Sequence, residues 1–184
     1  VPPTTRKLAS GPCTMAIRRE RPADHDAVRA LHQAAFALPS GGAVVQARLL
    51  DELREDAGFL PHLSLVAVDG DRIAGHVIAT RGWLEPFGTA VLGLGPLGVE
   101  PDLQRRGVGT ALVHAVLAVA EACDERLVAL LGDPGYYRRF DFRRSTDLGV
   151  AAPDPAWGEH FQARLLTGRP VGGAFRYAQP FDRL

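Results

Sequence analysis

The alternation of apolar and polar residues divides the chain into segments of two distinct periods. Met15-Ala-Ile-Arg-Arg has the character of a short strand. Pro22-Ala-Asp-His-Asp then opens a helix, because proline suits a first turn and aspartates suit the positive end of the helix dipole. Val28, Leu31, Ala35 and Phe36 follow at helical spacing. Pro39-Ser-Gly-Gly42 breaks the chain, and a second helix places Val45, Leu49, Leu50 and Leu53 on one side, away from Arg48, Asp51, Glu52 and Glu55. From Leu63 to Ile78 two β-rich runs flank Asp69-Gly70, the preferred chemistry for a tight hairpin. Ala90–Val99 is a further strand rich in glycine. Gly107–Cys123 is helical, with Val108, Leu112, Val116 and Val119 spaced for one buried face. The apolar run Leu127–Leu131 predicts a strand covered on both faces. Pro134–Phe140 predicts a short helix and Phe142–Val150 another strand. The tail holds two strand-like pieces, Phe161–Leu166 and Gly173–Tyr177.

The order β-α-α-β-β-β-α-β-α-β predicts an α/β (α+β) fold: a mixed, mostly antiparallel sheet flanked by helices, with one parallel crossover through Gly107–Cys123. Residues 1–14 read as a flexible lead-in and 15–150 as the core. Residues 151–184 read as an extension of the same domain, too rich in Trp157, Phe161, Phe175, Tyr177 and Phe181 to be a disordered appendage. Its strands are expected beyond Phe142–Val150, with Trp157 and His160 on a loop at a substrate cleft.

Composition changes this picture little. With 21 basic and 21 acidic side chains the formal net charge is zero, so neither nucleic acid nor an anionic membrane is an expected partner. No run approaches the roughly 18 apolar residues of a membrane span, and VPPTTRKLASGPCT lacks a signal peptide's apolar centre. A cytoplasmic protein is the expectation. Cys13 and Cys123 are too few for a disulfide framework, and Cys123 reads as a small buried hydrophobe. The six histidines show no H-x-x-x-H spacing, so no metal is expected.

Two glycine patterns stand within 20 residues of each other. Gly93-Leu-Gly95-Pro-Leu-Gly98 matches the dinucleotide fingerprint G-x-G-x-x-G letter for letter, but that motif must open straight into a helix. Here it lies inside a strand, is interrupted by Pro96, and precedes the helix by about nine residues, so a dinucleotide is rejected on context. Gln104-Arg-Arg-Gly107-Val-Gly109 has the right context: a strand end, a turn, then a long helix. Glycines let the backbone approach an anion, and the unpaired N–H groups of the first helical turn point at it. Arg105 and Arg106 add charge-assisted bonds.

The stretch Leu97-Gly-Val99-Glu-Pro-Asp-Leu-Gln104-Arg-Arg-Gly107-Val-Gly109-Thr-Ala-Leu resembles motif A of the GCN5-related N-acetyltransferase (GNAT) family, and Gly135-Tyr-Tyr137-Arg-Arg-Phe-Asp-Phe142 resembles its motif B. The tail is similar to that of a bacterial subgroup of predicted acetyltransferases. The resemblance implies that acetyl-coenzyme A is the co-substrate, attacked directly by a primary amine in a ternary complex. It places the cofactor on Leu97, Gly98, Val99, Gln104, Arg105, Arg106, Gly107, Val108, Gly109 and Thr110. Backbone groups of Leu97 to Val99 would pair with the pantetheine arm, one N–H would polarise the thioester carbonyl, and Gly93, Gly95 and Gly98 would leave room for the cofactor. Tyr137 would return a proton to the leaving thiolate, with Tyr136 as the alternative. The base is open between Glu85, Glu100, Asp133, His160 and a water chain.

The sequence departs from the pattern at Asp141, where the family commonly has glycine. The acceptor, a small-molecule or protein amine, is left open, and a homodimer is allowed. A non-catalytic acyl-coenzyme A sensor shares the same phosphate loop, and a longer acyl donor is a third reading. An open thioester site would favour the enzyme, and a blocked acceptor cleft the sensor.

Overall fold

The computed structural model describes residues 15–37 and 42–183. The lead-in with Cys13, and residues 38–41 of the Pro39–Gly42 break, lie outside the described residues.

Strand β1 (Met15–Arg19) is followed by a 3-10 turn at Pro22–Asp24 and helix α1 (His25–Ala35). Helix α2 (Gly42–Glu55) comes next. Strands β2 (Ser64–Asp69) and β3 (Arg72–Glu85) form the expected hairpin, and Gly70 at its tip has φ 61°. Strand β4 (Thr89–Val99), helix α3 (Val108–Ala122), strand β5 (Leu127–Leu131) and the single turn α4 (Pro134–Tyr137) complete the central part. Short strands β6 (Arg143–Arg144) and β7 (Val150–Ala151) lead to β8 (Phe161–Leu165) and β9 (Gly173–Arg176).

Among the described residues nine strands make one sheet in the order β1-β2-β3-β4-β5-β8-β6, with β9 on β3 and β7 on β9. Only the β4–β5 and β7–β9 pairs are parallel. Helix α3 is the crossover between β4 and β5. It packs one face of the sheet through Val108, Leu112, Val113 and Val116, and approaches so closely that a Cβ on Gly75 would lie 2.8 Å from Leu112. Helices α1 and α2 cover the other face through Val28, Leu31, Leu50 and Leu53. Each such fully buried leucine contributes about 1.5–3 kcal/mol relative to exposure. The tail covers the rest of that face through Phe161, Phe175 and Tyr177. No helix of the described residues is long and apolar enough to cross a membrane.

Five expectations from the sequence need correction. Phe142–Val150 is not one strand: the turn formers Ser145, Thr146 and Asp147 make a 3-10 turn that closes at Gly149, φ 74°. The tail strands do not extend the sheet beyond that segment. Strand β8 inserts between β5 and β6, and β9 continues the β2 side of β3. Cys123 is exposed, because it caps the C-terminus of α3 where the chain turns away from the sheet. Val45 is also exposed, since Ala47, Leu49, Leu50 and Leu53 form the buried stripe of α2. Leu131, the last residue of β5, is 47% exposed and not covered on both faces, because it borders an open cleft.

Candidate functional site

The cleft begins where β4 and β5 part. They pair only at Leu92–Val128 and Gly93–Ala129, and beyond these the strands diverge. Two features of β4 produce the opening. Its register against β3 shifts, with Val77 opposite Leu97 but Ala79 opposite Leu94, so Gly95 and Pro96 bulge out. Pro96 has no N–H to offer a neighbouring strand. The backbone N–H of Glu100 bonds to Ala74 of β3. Strand alternation therefore aims the backbone groups of Leu97 and Val99 at the open side. The Val99 carbonyl already accepts a bond from Gln104 Nε2 at 3.2 Å. The open edge of β4 thus offers an extended ligand a strand-like partner.

One end of the cleft is a cavity of about 610 Å³ at the start of α3. Leu97 and Val99 of β4 line it, with Gln104 and Arg105 of the turn and Gly107, Gly109 and Thr110 of the helix. Gly107 caps α3 in the left-handed region at φ 89°, where an L side chain is strained. A Cβ on Gly109 would lie 3.0 Å from the Tyr136 hydroxyl, so its absence keeps this end open. The unpaired N–H groups of the first turn are the kind of donors that can hold an anion. Arg139 joins from the other wall, with its guanidinium 4.7 Å from the centre of the Tyr136 ring. Motif spacing alone did not single out Arg139.

Three expected cofactor residues do not line this cavity. Val108 is buried between α3 and the sheet, and the exposed Arg106 is not part of the lining. Gly98 faces the opposite side, where a Cβ would meet Leu31 and His32 at 2.8 Å. Gly93 behaves likewise: a Cβ there would lie 2.7 Å from the Tyr177 ring. These two glycines make room for the protein's own side chains and not for a cofactor. Gly95, with nothing within 4 Å of a Cβ, borders the second cavity.

That second cavity, of about 730 Å³, adjoins the first at Phe36 and Leu97. Tyr137 lines it, whereas Tyr136 lines the first cavity, and their rings meet edge to face at 4.9 Å. Asp133 accepts from the Gly135 N–H at 2.9 Å and so caps α4, which presents both tyrosines. The Tyr137 ring packs on Gly132. Burial, and then the neighbouring Tyr136, pushes the Tyr137 phenol well above the usual tyrosine range. Asp141 ends the following turn in the left-handed region, φ 62°, so it adopts the conformation that a glycine would take.

Tyr177 stands at the fork of β4 and β5, on the wall of the second cavity. Its ring packs on Phe175 and Phe181 at 4.7 and 4.6 Å. Burial raises its phenol far above the ordinary range, with a further push from Tyr137, against a bond from the Leu131 N–H. Two neutral phenols, Tyr137 and Tyr177, therefore stand on the wall of this one cavity. Trp157 lines the cavity as expected, but His160 does not, because it closes the turn onto β8 with its carbonyl on the Gly132 N–H. Of the candidate bases only Glu85 borders the cavity, paired with Arg176 at 3.3 Å. Glu100 is held by Arg72 outside it, and Asp133 serves as the cap. The cavity is open, which is the condition set for an enzyme and against a sensor.

Sequence pattern also missed a buried polar chain between α1 and the sheet. His32 Nε2 lies 2.9 Å from His76 Nδ1, His76 Nε2 lies 3.0 Å from Ser64 Oγ, and Ser64 Oγ donates to Glu20 at 2.7 Å. Arg54 closes on Glu20 from α2. Burial drives both histidines below the usual imidazole range. Burial alone would raise Glu20, but His76 at 3.7 Å and bonds from Arg54 and Ser64 hold it well below the carboxylate range.

Comparison with known proteins agrees with this geometry. Residues 26–142 match the family model described as the acetyltransferase (GNAT) family. An uncharacterized N-acetyltransferase of Escherichia coli, YjhQ, is 32% identical over 143 residues, covering 73% of this chain and 79% of the relative. A GNAT family acetyltransferase from Brucella melitensis, solved with acetyl-CoA, superposes with a TM-score of 0.77 at 30% identity, over 92% of this chain and 99% of that one. The GNAT family N-acetyltransferase YhbS of Escherichia coli, solved with CoA, gives 0.83 at 27% identity, over 92% and 93%.

Proposed function

Because this chain belongs to the GNAT acetyltransferase family, we propose that it transfers the acetyl group of acetyl-coenzyme A to a primary amine within a ternary complex. The observation that carries this reading is the continuity of the two cavities across the parted ends of β4 and β5. The pyrophosphate fits the glycine-opened start of α3, with Arg105 and Arg139 beside it. The pantetheine arm lies along Leu97 and Val99 as an added strand, and the thioester then reaches the junction of the cavities, beside Tyr137.

The nitrogen lone pair of the neutral amine attacks the thioester carbon, and a backbone N–H of β4 stabilises the oxygen as it gains charge. The carbon–sulfur bond breaks, Tyr137 gives its proton to the departing thiolate, and the proton that the acylated nitrogen sheds returns to Tyr137. A phenol kept neutral by burial holds that proton across the working pH range. The proton shed by the ammonium leaves through Glu85 or through water in the open cavity.

Calorimetry with coenzyme A and with NAD, followed by a thiol-release assay with acetyl-coenzyme A and amines, tests the reading. Binding of coenzyme A but not NAD, and amine-dependent thiol release, is the expected result. Binding without thiol release for any amine would leave only the sensor.

A further inference from the structure

The walls of the second cavity describe the molecule that should enter it. Its inner surface is largely aromatic and aliphatic, with Phe36 and Leu49 from the α1–α2 side and Trp157, Phe175 and Phe181 from the tail. The tail wall is one continuous aromatic cluster: Trp157 meets Phe161 at 5.8 Å, Phe161 meets Phe175 at 5.4 Å, and Tyr177 meets Phe181 at 4.6 Å. Leu131 adds an exposed leucine at the cleft. Such a lining gains little from a polar chain and gains much from a flat apolar body.

The polar groups are few, and their types matter. Arg176 is the one cation among the described lining residues. It is already paired with Glu85 and stacked 4.4 Å from the centre of the Trp83 ring. A substrate carboxylate would meet a charge that Glu85 already balances at Arg176 Nε, with the Asp182 carboxylate also on the cavity wall. On the acidic side Glu85 and Asp182 both border the cavity, which suits an approaching ammonium. Gln46 lines the α2 wall, and its side-chain carbonyl oxygen is buried without a hydrogen-bond partner. A buried acceptor left unpaired costs about 1–3 kcal/mol, so a ligand N–H on Gln46 would remove that cost.

We propose that the acceptor is a primary amine carried on an apolar body of aromatic size, without a carboxylate: an arylalkylamine and not an amino acid, a polyamine or a peptide lysine. This rests on the acetyltransferase reading and narrows it. A cavity of about 730 Å³ lies within the range of small-molecule sites, roughly 300–1,000 Å³.

The test uses the full chain with acetyl-coenzyme A and measures thiol release for 2-phenylethylamine and tryptamine against phenylalanine, spermidine and a lysine peptide. The arylalkylamines should exceed the others at least tenfold in kcat/KM. Phenylethylamine should bind the coenzyme A-loaded protein more tightly than phenylalanine does. Trp157→Ala should raise KM for phenylethylamine about tenfold without changing coenzyme A affinity. If that variant does not fold, Leu131→Ser, at an exposed position, should raise the same KM by a smaller factor. Equal or faster turnover of phenylalanine, spermidine or the peptide overturns this inference and leaves acetyl transfer standing. Absence of thiol release with every amine overturns both.

Discussion

The Tyr177 ring lies directly over Gly93, so close that a Cβ on the glycine would sit 2.7 Å from it. This contact locks the tail against the point where β4 and β5 part. Gly93→Ala should therefore displace Tyr177 and cost about 1–3 kcal/mol, the usual penalty of overpacking. Coenzyme A affinity should change little, since Gly93 lies outside the cavity at the start of α3. Urea denaturation and calorimetry on one preparation check both halves. A stable variant with lost affinity would return Gly93 to the cofactor.

Tyr137→Phe should lower turnover by about 10²–10⁴-fold, the usual worth of a general acid, and leave coenzyme A affinity nearly intact. Only the transition state needs the proton. Because burial raises the Tyr137 pKa, the wild-type rate should not fall near pH 10, where an ordinary tyrosine ionises. Tyr136→Phe should act on coenzyme A affinity instead, since Tyr136 lines the cavity at the start of α3. A full rate in Tyr137→Phe across the pH range would move the proton donor to Tyr136 or to water.

Gly109→Val should weaken coenzyme A binding at least tenfold at small cost in stability. Its side chain would enter the space between α3 and Tyr136, where even a Cβ is 3.0 Å from the hydroxyl. Gly107→Val adds a backbone penalty at φ 89°, so its thermal midpoint should drop as well. Unchanged affinity in a folded Gly109→Val protein would count against the loop.

Much of this was legible because local chemistry and global fold agree. The Asp69-Gly70 hairpin, the stripe of α3 and the Gln104–Gly109 loop each depend on neighbours in sequence. Reading failed where partners are distant. Gly93 and Gly98 looked like space for a ligand, but the space belongs to Tyr177 and His32, each more than 60 residues away in sequence. Asp141 looked like a break in motif B, yet it keeps the glycine conformation, since aspartate tolerates the left-handed region. The insertion of β8 between β5 and β6 has no local signal at all. Period and composition specify that Phe161–Leu165 is a strand, and not where it pairs.

That insertion makes the tail indispensable. Strand β8 pairs with β5 along five residues, from Leu127–Leu165 to Leu131–Phe161. Removing residues 153–184 would expose one whole edge of β5 and delete the fully buried Phe161, whose loss alone is worth about 3–5 kcal/mol. The truncated chain should fail to fold, as judged by lost near-ultraviolet circular dichroism and a lost cooperative transition. A folded truncation that still bound coenzyme A would show the core to be independent of the tail.

The buried chain from His32 to Glu20 should make stability fall with acid, and earlier than the carboxylates alone would. Both histidines have their pKa lowered in the folded protein, so the unfolded chain binds more protons below about pH 6.5. Their contribution is complete above that value and is lost as pH falls towards the folded value. Glu20, also lowered, acts with the same sign but below about pH 4.3. Each histidine that stays neutral should thus cost about 1 kcal/mol by pH 5.5. Urea midpoints between pH 8 and 5.5 measure this slope. His32→Gln retains a hydrogen-bonding group towards His76 but takes no proton, so it should remove about half of the slope while lowering stability at pH 8. Glu20, Arg54 and, on His76, His25 also act on the pair, so it is the loss of slope in His32→Gln, and not the slope itself, that assigns the change to these two imidazoles. A flat profile from pH 8 to 5.5 would mean that the imidazoles become charged in place, held by Glu20, and the chain would then be an ion pair.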